Sequence, residues 1–163
     1  MFASYQLQQL RSSDLSSVRE VYLDAIQSQG EPLYTQEQIQ AWTALACLPG
    51  VLDRPLLEGR GWISLENQLV VAFAVRYPLD RLALLYCRGR FSRRGHASLL
   101  LDQVEQEAFA EGQKRLVTEA SLLSHPFLLR RGWECITSEK IEIGGISFER
   151  YIMEKLLFNS LSI

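Results

Sequence analysis

A strand, a glycine-bearing turn and a helix follow one another in residues 82–109, and this stretch constrains the fold more than any other. Residues 82–87 form an apolar run of the length expected for a buried strand. A basic turn follows at 88–95, and apolar residues then recur at helical spacing through the next 14 positions. The first N–H groups of a helix have no partner inside the helix, so this arrangement is a general device for holding phosphate.

The charge of the turn can be interpreted in two ways. Arg88, Arg90, Arg93 and Arg94 fall within seven residues, although the whole chain has 17 lysines and arginines against 19 acidic residues. One interpretation is an anion site for a phosphorylated cofactor. The other is a solvated basic turn between a strand and a helix, and the residues alone leave both open because isolated glycine motifs give many false matches.

Length and composition limit the class of protein. The 163 residues correspond to one domain, with the 47% hydrophobic and 22% charged content of an ordinary globular protein. No run of 18 apolar residues or signal-peptide pattern occurs, so we expect neither a membrane span nor secretion. The three cysteines lack any metal-ligand or disulfide spacing, which predicts reduced thiols in a cytoplasmic protein without a metal site. The near-neutral charge argues against a nucleic-acid binder.

The rest of the chain reads as an alternation of short strands and helices. A capping-box pattern, Thr35 with Gln38, opens the second helix, and residues 49–55 are predicted to be a loop. Further strands are predicted at 5–10, 61–65, 69–77, 116–120, 133–143 and 146–155, and further helices at 13–29, 95–112 and 126–131.

Several segments together resemble the GNAT N-acetyltransferase superfamily. Ser92-Arg93-Arg94-Gly95-His96-Ala97 is similar to its acyl-CoA motif, [Gln/Arg]-x-x-Gly-x-[Gly/Ala], except at Ser92. Thr118-Glu119-Ala120-Ser121, residues 124–133 and the closing 144–155 resemble later segments of the same family. The matches occur in the expected order and cover most of residues 5–156.

The resemblance implies a fold and a cosubstrate. The fold is α/β (α+β), with a mixed, mostly antiparallel sheet of about seven strands flanked by about four helices and splayed between the fourth and fifth strands. One such domain would cover residues 1–156, with 157–163 as a tail. The implied reaction is direct transfer of acetyl from acetyl-CoA to an amine of a small molecule or protein, and a homodimer is compatible with the family.

The resemblance also implies a cofactor site built largely from main chain. The pantetheine arm would lie in the gap beside strand 82–87, and the diphosphate would bind N–H groups at the helix start. Arg93 and Arg94 would partly replace the charge or hydrogen bonds missing at Ser92. The implied cofactor-binding residues are Leu85, Tyr86, Cys87, Arg93, Arg94, Gly95, His96, Ala97, Ser98 and Ser121.

The general base has two candidates, each with a structural alternative. Glu119 lies in an apolar strand next to the implied gap, where burial would raise its pKa, but it could equally be paired with a nearby arginine. His125 has a pKa near neutrality, but a histidine at this position more often simply occupies a helix start. The main-chain N–H of Tyr86 or Cys87 would bind the thioester oxygen. Cys87 as a nucleophile is disfavoured, because a strand cysteine is usually an inert hydrophobe.

The acceptor side and the departing thiolate are less well specified. Tyr34, Glu37 and Trp42 are candidates to shape the acceptor site, and Tyr34 and Glu37 are the predicted substrate-binding residues, since the region between the first two helices flanks the acceptor groove in the family. The structural alternatives are that Trp42 packs in the core and that Tyr34 packs against the start of the helix. Leu128 stands where many members carry a tyrosine that protonates the thiolate, so Tyr86 or water would take that role. The departure motivates an alternative, a weak or inactive acyl-CoA-binding or regulatory module. A third possibility is an interaction domain with an incidental basic turn.

Overall fold

Seven strands form two antiparallel sheets in the computed structural model, which describes residues 4–158. The first sheet has the order β1-β2-β3-β4 and the second β5-β7-β6. The strands are β1 (Tyr5–Gln9), β2 (Arg60–Glu66), β3 (Leu69–Arg76), β4 (Leu82–Cys87), β5 (Arg115–Ala120), β6 (Glu134–Ile143) and β7 (Ile146–Leu156).

The two sheets touch at the beginning of β4 and separate toward its end. Arg81 and Val117 form a parallel bridge, and the Thr118 hydroxyl donates to the carbonyl of Leu82 over 2.6 Å. Further along, β4 pairs only with β3 and β5 only with β7 in the described part of the chain. The splay predicted between the fourth and fifth strands is therefore confirmed, and it opens a gap between the ends at Cys87 and Ala120.

Five α-helices among the described residues cover the two faces. They are α1 (Leu15–Gln29), α2 (Gln36–Ala44), α3 (Asp53–Glu58), α4 (His96–Ala110) and α5 (Ser124–Arg130). One buried cluster joins α1 and α2 to Phe73 and Val75 of β3, and the other packs α4 on its opposite face at Ala72 and Ala74. No helix among residues 4–158 has the length and apolar character needed to cross a membrane.

The helix count and one loop differ from the sequence-based expectation. Residues 53–58 form α3, although 49–55 was predicted to be a loop. Six residues are too few to show helical periodicity, and Pro55 is tolerated because it lies in the first turn, where its missing N–H is not needed. Only Leu56 of this helix is buried. Tertiary packing, rather than a local sequence pattern, therefore determines that residues 53–58 form a helix.

The predicted tail falls partly outside the described residues. Leu157 is buried against the α4 cluster, and its N–H donates to the carbonyl of Lys114 over 2.9 Å. Packing therefore continues to this residue, and 159–163 lie outside the part that the structure describes.

Candidate functional site

Two adjoining cavities occupy the gap between the sheets. The larger, of about 610 Å³, lies between the end of β4 and the start of α4. The smaller, of about 370 Å³, lies beneath α2 and α3 and is closed on one side by β6 and β7. They share the lining residues Trp42, Leu85, Tyr86, Ser121 and Ser124. A molecule bound in one cavity can therefore touch a molecule bound in the other.

The turn before α4 exposes a row of unpaired amides. The Ser92 hydroxyl donates to the carbonyl of Gly89 over 2.7 Å, and positive φ angles at Arg93 (61°) and Gly95 (95°) then redirect the chain into the helix. The first helical bond runs from the N–H of Leu99 to the carbonyl of Gly95. Within residues 4–158 nothing accepts a hydrogen bond from the amides of 93–98. Those of Arg93 and of residues 95–98 belong to the lining of the larger cavity, and together with the helix dipole they suit an anion.

The free edge of β4 faces the same gap. The N–H of Arg88 donates to the carbonyl of Val71, and the alternation of an antiparallel ladder turns the main-chain groups of Tyr86 toward β3 as well. The main-chain groups of Leu85 and Cys87 therefore point into the gap. The carbonyl of Cys87 accepts from the Gln29 side chain over 2.7 Å. Of the two N–H groups expected to bind a thioester oxygen, Cys87 is directed to the cavity and Tyr86 is not.

Three buried side chains and one exposed arginine form a group, the His96 cluster, that holds the turn on the side away from the larger cavity. It consists of Ser64, Glu66, Arg94 and His96. The His96 ring bonds through Nδ1 to the Ser64 hydroxyl and through Nε2 to Glu66, both at 2.7 Å, and Arg94 donates to the other Glu66 oxygen, also at 2.7 Å. The hydrogen bond with His96 is the main reason that the pKa of Glu66 is lowered. The Glu66 carboxylate therefore bonds to the side chains of both neighbours of Gly95, Arg94 and His96.

The cluster changes what two predicted residues can offer a ligand. The side chain of Arg94 is bonded to Glu66 and does not line the larger cavity, whereas we expected it to reach a phosphate. The side chain of His96 is fully buried, so this residue presents only its main chain. Arg93 is exposed and lines the cavity. It is therefore the arginine of the motif that remains available.

Most of the predicted cofactor-binding residues do come together. The larger cavity is lined by Leu85, Tyr86, Cys87, Arg93, Gly95, His96, Ala97, Ser98 and Ser121. Among the other lining residues, sequence reasoning missed Gln29, Phe91, Phe127, Arg130 and Arg131. The last four lie within or beside recognised motifs, but Gln29 is brought in by the packing of α1 against β4 and carries no local signal.

The smaller cavity contains two of the predicted chemical groups. Tyr34 lines it, and its hydroxyl accepts from the N–H of Leu122 over 2.8 Å. Glu119 also lines it, and one of its oxygens accepts from Arg81 Nε at 2.8 Å, the pairing weighed as its structural alternative. Glu37 is exposed and lines neither cavity. Leu128 is buried in the wall.

The remaining titratable candidates have distinct environments. Burial raises the pKa of the Tyr86 phenol, and a hydrogen bond with Trp42 only partly opposes this. Burial likewise raises the pKa of the Cys87 thiol to about 11, so it is protonated at neutral pH and a poor nucleophile. His125 stacks on Tyr151, with ring centroids 3.9 Å apart, and lines neither cavity. His125 is therefore not placed to exchange a proton with a molecule in the gap.

Relatives and solved structures match this architecture along the chain. An uncharacterized N-acetyltransferase of Escherichia coli K12, YafP, is 22% identical over 148 residues, which cover 91% of this chain and 93% of that protein. A Rhodopseudomonas palustris protein described as "GCN5-Related N-acetyltransferase: Aminotransferase, Class-II" has a TM-score of 0.90 at 23% identity, with 96% and 99% of the two chains covered. The PaiA N-acetyltransferase of Thermoplasma acidophilum, solved in complex with coenzyme A, has a TM-score of 0.73 at 17% identity, covering 94% and 99%.

These structural likenesses establish the fold, and a sequence match establishes the family. The family model for the acetyltransferase (GNAT) domain matches residues 31–155, a span that includes the strands from β2 to β6, all but the last residue of β7, and the exposed amides. The chain belongs to the GNAT acetyltransferase family.

Proposed function

We propose that the protein is an N-acetyltransferase that moves the acetyl group of acetyl-CoA directly to a primary amine. The observation that carries this proposal is the row of unpaired amides at 93–98, which opens onto the same gap as the free edge of β4 and the second cavity. One ligand would need a diphosphate at the amides and an extended arm along β4. Coenzyme A has that shape, and the PaiA relative was solved with it bound.

The adjoining cavities suit attack without a covalent enzyme intermediate. An amine in the smaller cavity would approach the thioester carbonyl near Tyr86, where the two cavities meet. A carbon–nitrogen bond forms as the carbon–sulfur bond breaks, and the main-chain N–H of Cys87 stabilises the oxygen that gains charge. The protonated Cys87 thiol takes no part as a nucleophile.

Two protons must move in this reaction, and two side chains are positioned for them. The amine loses a proton, and Glu119 is the carboxylate in the acceptor cavity that can receive it, directly or through water. The hydrogen bond from Arg81 fixes the orientation of this carboxylate in the cavity wall. Tyr86 lines both cavities and stays protonated at neutral pH, so its hydroxyl can return a proton to the departing thiolate.

Glu119→Gln tests the role of the base separately from cofactor binding. Proton transfer by a positioned group contributes roughly 10²–10⁴-fold, so we expect kcat to fall within that range while the Kd for CoA stays within twofold. Glu142→Gln is the control, because this exposed glutamate lines neither cavity. Unchanged kcat in Glu119→Gln would remove Glu119 from the mechanism.

Two measurements test the function itself. CoA at 100 times its Kd should stabilise the fold by about 2.7 kcal/mol, which raises the Tm of a protein of this length by roughly 5–11 °C. Acetyl-CoA with a panel of amines should release free thiol, and mass spectrometry should show the acetylated amine. No Tm shift with CoA would contradict the cofactor site. Binding of CoA without turnover of any amine would contradict the transferase.

Leu128 supports a second candidate, an acyl-CoA-binding or regulatory module without efficient catalysis. Its side chain is only 1% exposed and forms part of the wall where a family tyrosine would supply a proton. Leu128→Tyr distinguishes the candidates. Activity that appears only in this variant would favour the binding module, whereas a parent enzyme as active as the variant would favour the transferase.

A further inference from the structure

We infer that the side-chain amide of Gln29 binds the pantetheine arm of the cosubstrate where that arm passes the end of β4. This inference rests on the proposed transferase function. Gln29 is the last residue of α1 and lies before the span 31–155 that the family model matches. The support comes from the way its position is fixed, from its unused hydrogen-bonding groups and from its place in the larger cavity.

The last turn of α1 is packed closely against the segment that follows β4. The N–H of Gly89 donates to the Asp24 carboxylate over 2.8 Å. A Cβ at Gly89 would lie 2.7 Å from the Cβ of Ser28, so only glycine lets the helix approach this closely. Asp24 and Ser28 are four residues apart and therefore share one face of the helix. The position of Gln29 is thus set by the contacts of its helix and does not depend on a ligand.

The amide of Gln29 uses only part of its hydrogen-bonding capacity. Its Nε2 donates to the carbonyl of Cys87 over 2.7 Å, and because a carbonyl only accepts, this contact fixes the orientation of the amide. The second N–H and Oε1 have no hydrogen-bond partner within the described part of the chain. Oε1 is also not among the unpaired side-chain atoms that are buried from solvent. A donor and an accessible acceptor therefore remain beside β4.

The Gln29 side chain borders the cavity proposed for the cosubstrate. It lines the larger cavity together with Leu85 and Cys87, whose main-chain groups point into the gap. The pantetheine arm is an extended chain with secondary amides, and each of these offers one N–H and one C=O. The Gln29 amide is complementary to such a group, and the Cys87 carbonyl keeps a second lone pair for it. Gln29 therefore extends the free edge of β4 by one amide at the point where the strand ends.

A purely structural role for Gln29 makes a different prediction. If its bond to Cys87 served only to hold α1 against β4, loss of the bond would disturb the turn at 88–95. Every ligand of the amides at 93–98 would then bind more weakly. A contact between Gln29 and the arm instead affects only those ligands that possess the arm.

Two ligands separate these roles in isothermal titration calorimetry. CoA has the arm, whereas adenosine 3′-phosphate 5′-diphosphate keeps the diphosphate and lacks the arm. Gln29→Met preserves the unbranched shape of the side chain but removes its hydrogen bonds. A neutral hydrogen bond changes affinity by roughly two- to tenfold, so with one or two bonds lost we expect the Kd for CoA to rise roughly 3- to 30-fold. The Kd for the nucleotide should stay within twofold of the parent's.

Gln27→Met is the matched control, because the exposed Gln27 lies on the same helix and lines neither cavity. It should change neither Kd. A Kd for CoA within twofold of the parent's in Gln29→Met would overturn the inference, and so would equal weakening of CoA and the nucleotide. If the parent bound neither ligand, the proposed cofactor site would fail together with the inference.

NMR spectroscopy gives a direct readout of the contact. The side-chain NH₂ signal of Gln29 can be assigned by its absence from the spectrum of Gln29→Met. We expect saturating CoA to shift this signal and the nucleotide to leave it in place. A signal that CoA does not move, or that both ligands move equally, would overturn the inference while leaving the cofactor site intact.

Discussion

Gly95→Ala would separate a cost to folding from a cost to cofactor binding. Gly95 has φ +95°, a conformation in which an ordinary residue loses roughly 1–2 kcal/mol. A Cβ built there meets no protein atom within 4 Å, so this strain is the whole cost to the folded chain. For a protein of this length 1 kcal/mol shifts Tm by about 2–4 °C, and we therefore expect a fall of roughly 2–8 °C.

The same methyl group would have a second effect on the ligand. Gly95 lines the larger cavity, among the amides that would receive the diphosphate, and no protein atom fills the space that the methyl group would take. A hydrogen bond to a charged group contributes about 1.5–3 kcal/mol, and 1.4 kcal/mol is a factor of ten. Displacing the diphosphate from one amide should therefore raise the Kd for CoA roughly 10- to 100-fold, measured by isothermal titration calorimetry.

Gly112→Ala is a closely matched control. Gly112 follows the opposite end of α4, has φ +92°, and leaves equally open space for a Cβ, but it lines neither cavity. We expect the same loss of Tm with an unchanged Kd for CoA. The placement of the diphosphate would be refuted if Gly95→Ala bound CoA with a Kd within twofold of the parent's. It would also be refuted if the two variants lost CoA affinity equally.

Three further predictions concern residues around the site and in the core. Glu66→Gln should raise the Kd for CoA several-fold, as measured by calorimetry. Because the pKa of Glu66 is lowered in the folded protein, its carboxylate stabilises the fold above about pH 4.3, and this stabilisation is lost as the pH falls. The stability of the variant should therefore depend less steeply on pH in acid unfolding. Cys87 should react with iodoacetamide more slowly than the exposed Cys47 at pH 8, accelerating toward pH 11, as followed by peptide mass spectrometry. Arg76→Ala leaves Glu107 without its buried partner and should cost about 3–5 kcal/mol in urea unfolding, whereas a loss below 1 kcal/mol would contradict a structural role.

The parts predicted from the sequence are those in which neighbouring residues interact. Strand β4, its turn and α4 are contiguous, so hydrophobic spacing and one glycine are enough to indicate a helix start with free amides. The splay between β4 and β5 came from the family resemblance rather than from spacing. Glu119 shows the limit of this reasoning. From the sequence it could be a general base or the partner of an arginine, and only the fold identifies Arg81 as that partner.

The parts that could not be predicted depend on residues far apart in the chain. Glu66 is 30 positions from His96, and nothing in the local pattern of β2 indicates that its carboxylate holds the turn before α4. The pairing of Arg76 with Glu107 spans 31 positions in the same way. Phe148 reaches the smaller cavity only because β7 folds back beside β6 and β5. Such contacts follow from tertiary packing, which overrides local propensity.

This difference in origin predicts that the larger cavity tolerates sequence change better than the smaller one. In the proposed function the larger cavity would bind the cofactor through main-chain groups, which any residue supplies. The motif can therefore carry Ser92, and the side chain of Arg94 can bond to Glu66 instead. The smaller cavity is a wall of side chains from α1, α2, β4, β5, β6 and β7, where each substitution changes volume or charge. Changes of acceptor among relatives should therefore concentrate at positions such as Trp42 and Phe148, while the turn around Gly95 keeps its conformation. Substitution of Phe148 should change the preference among acceptor amines without changing the Kd for CoA. If the acceptor preference and the Kd for CoA changed together, the two cavities would not act independently.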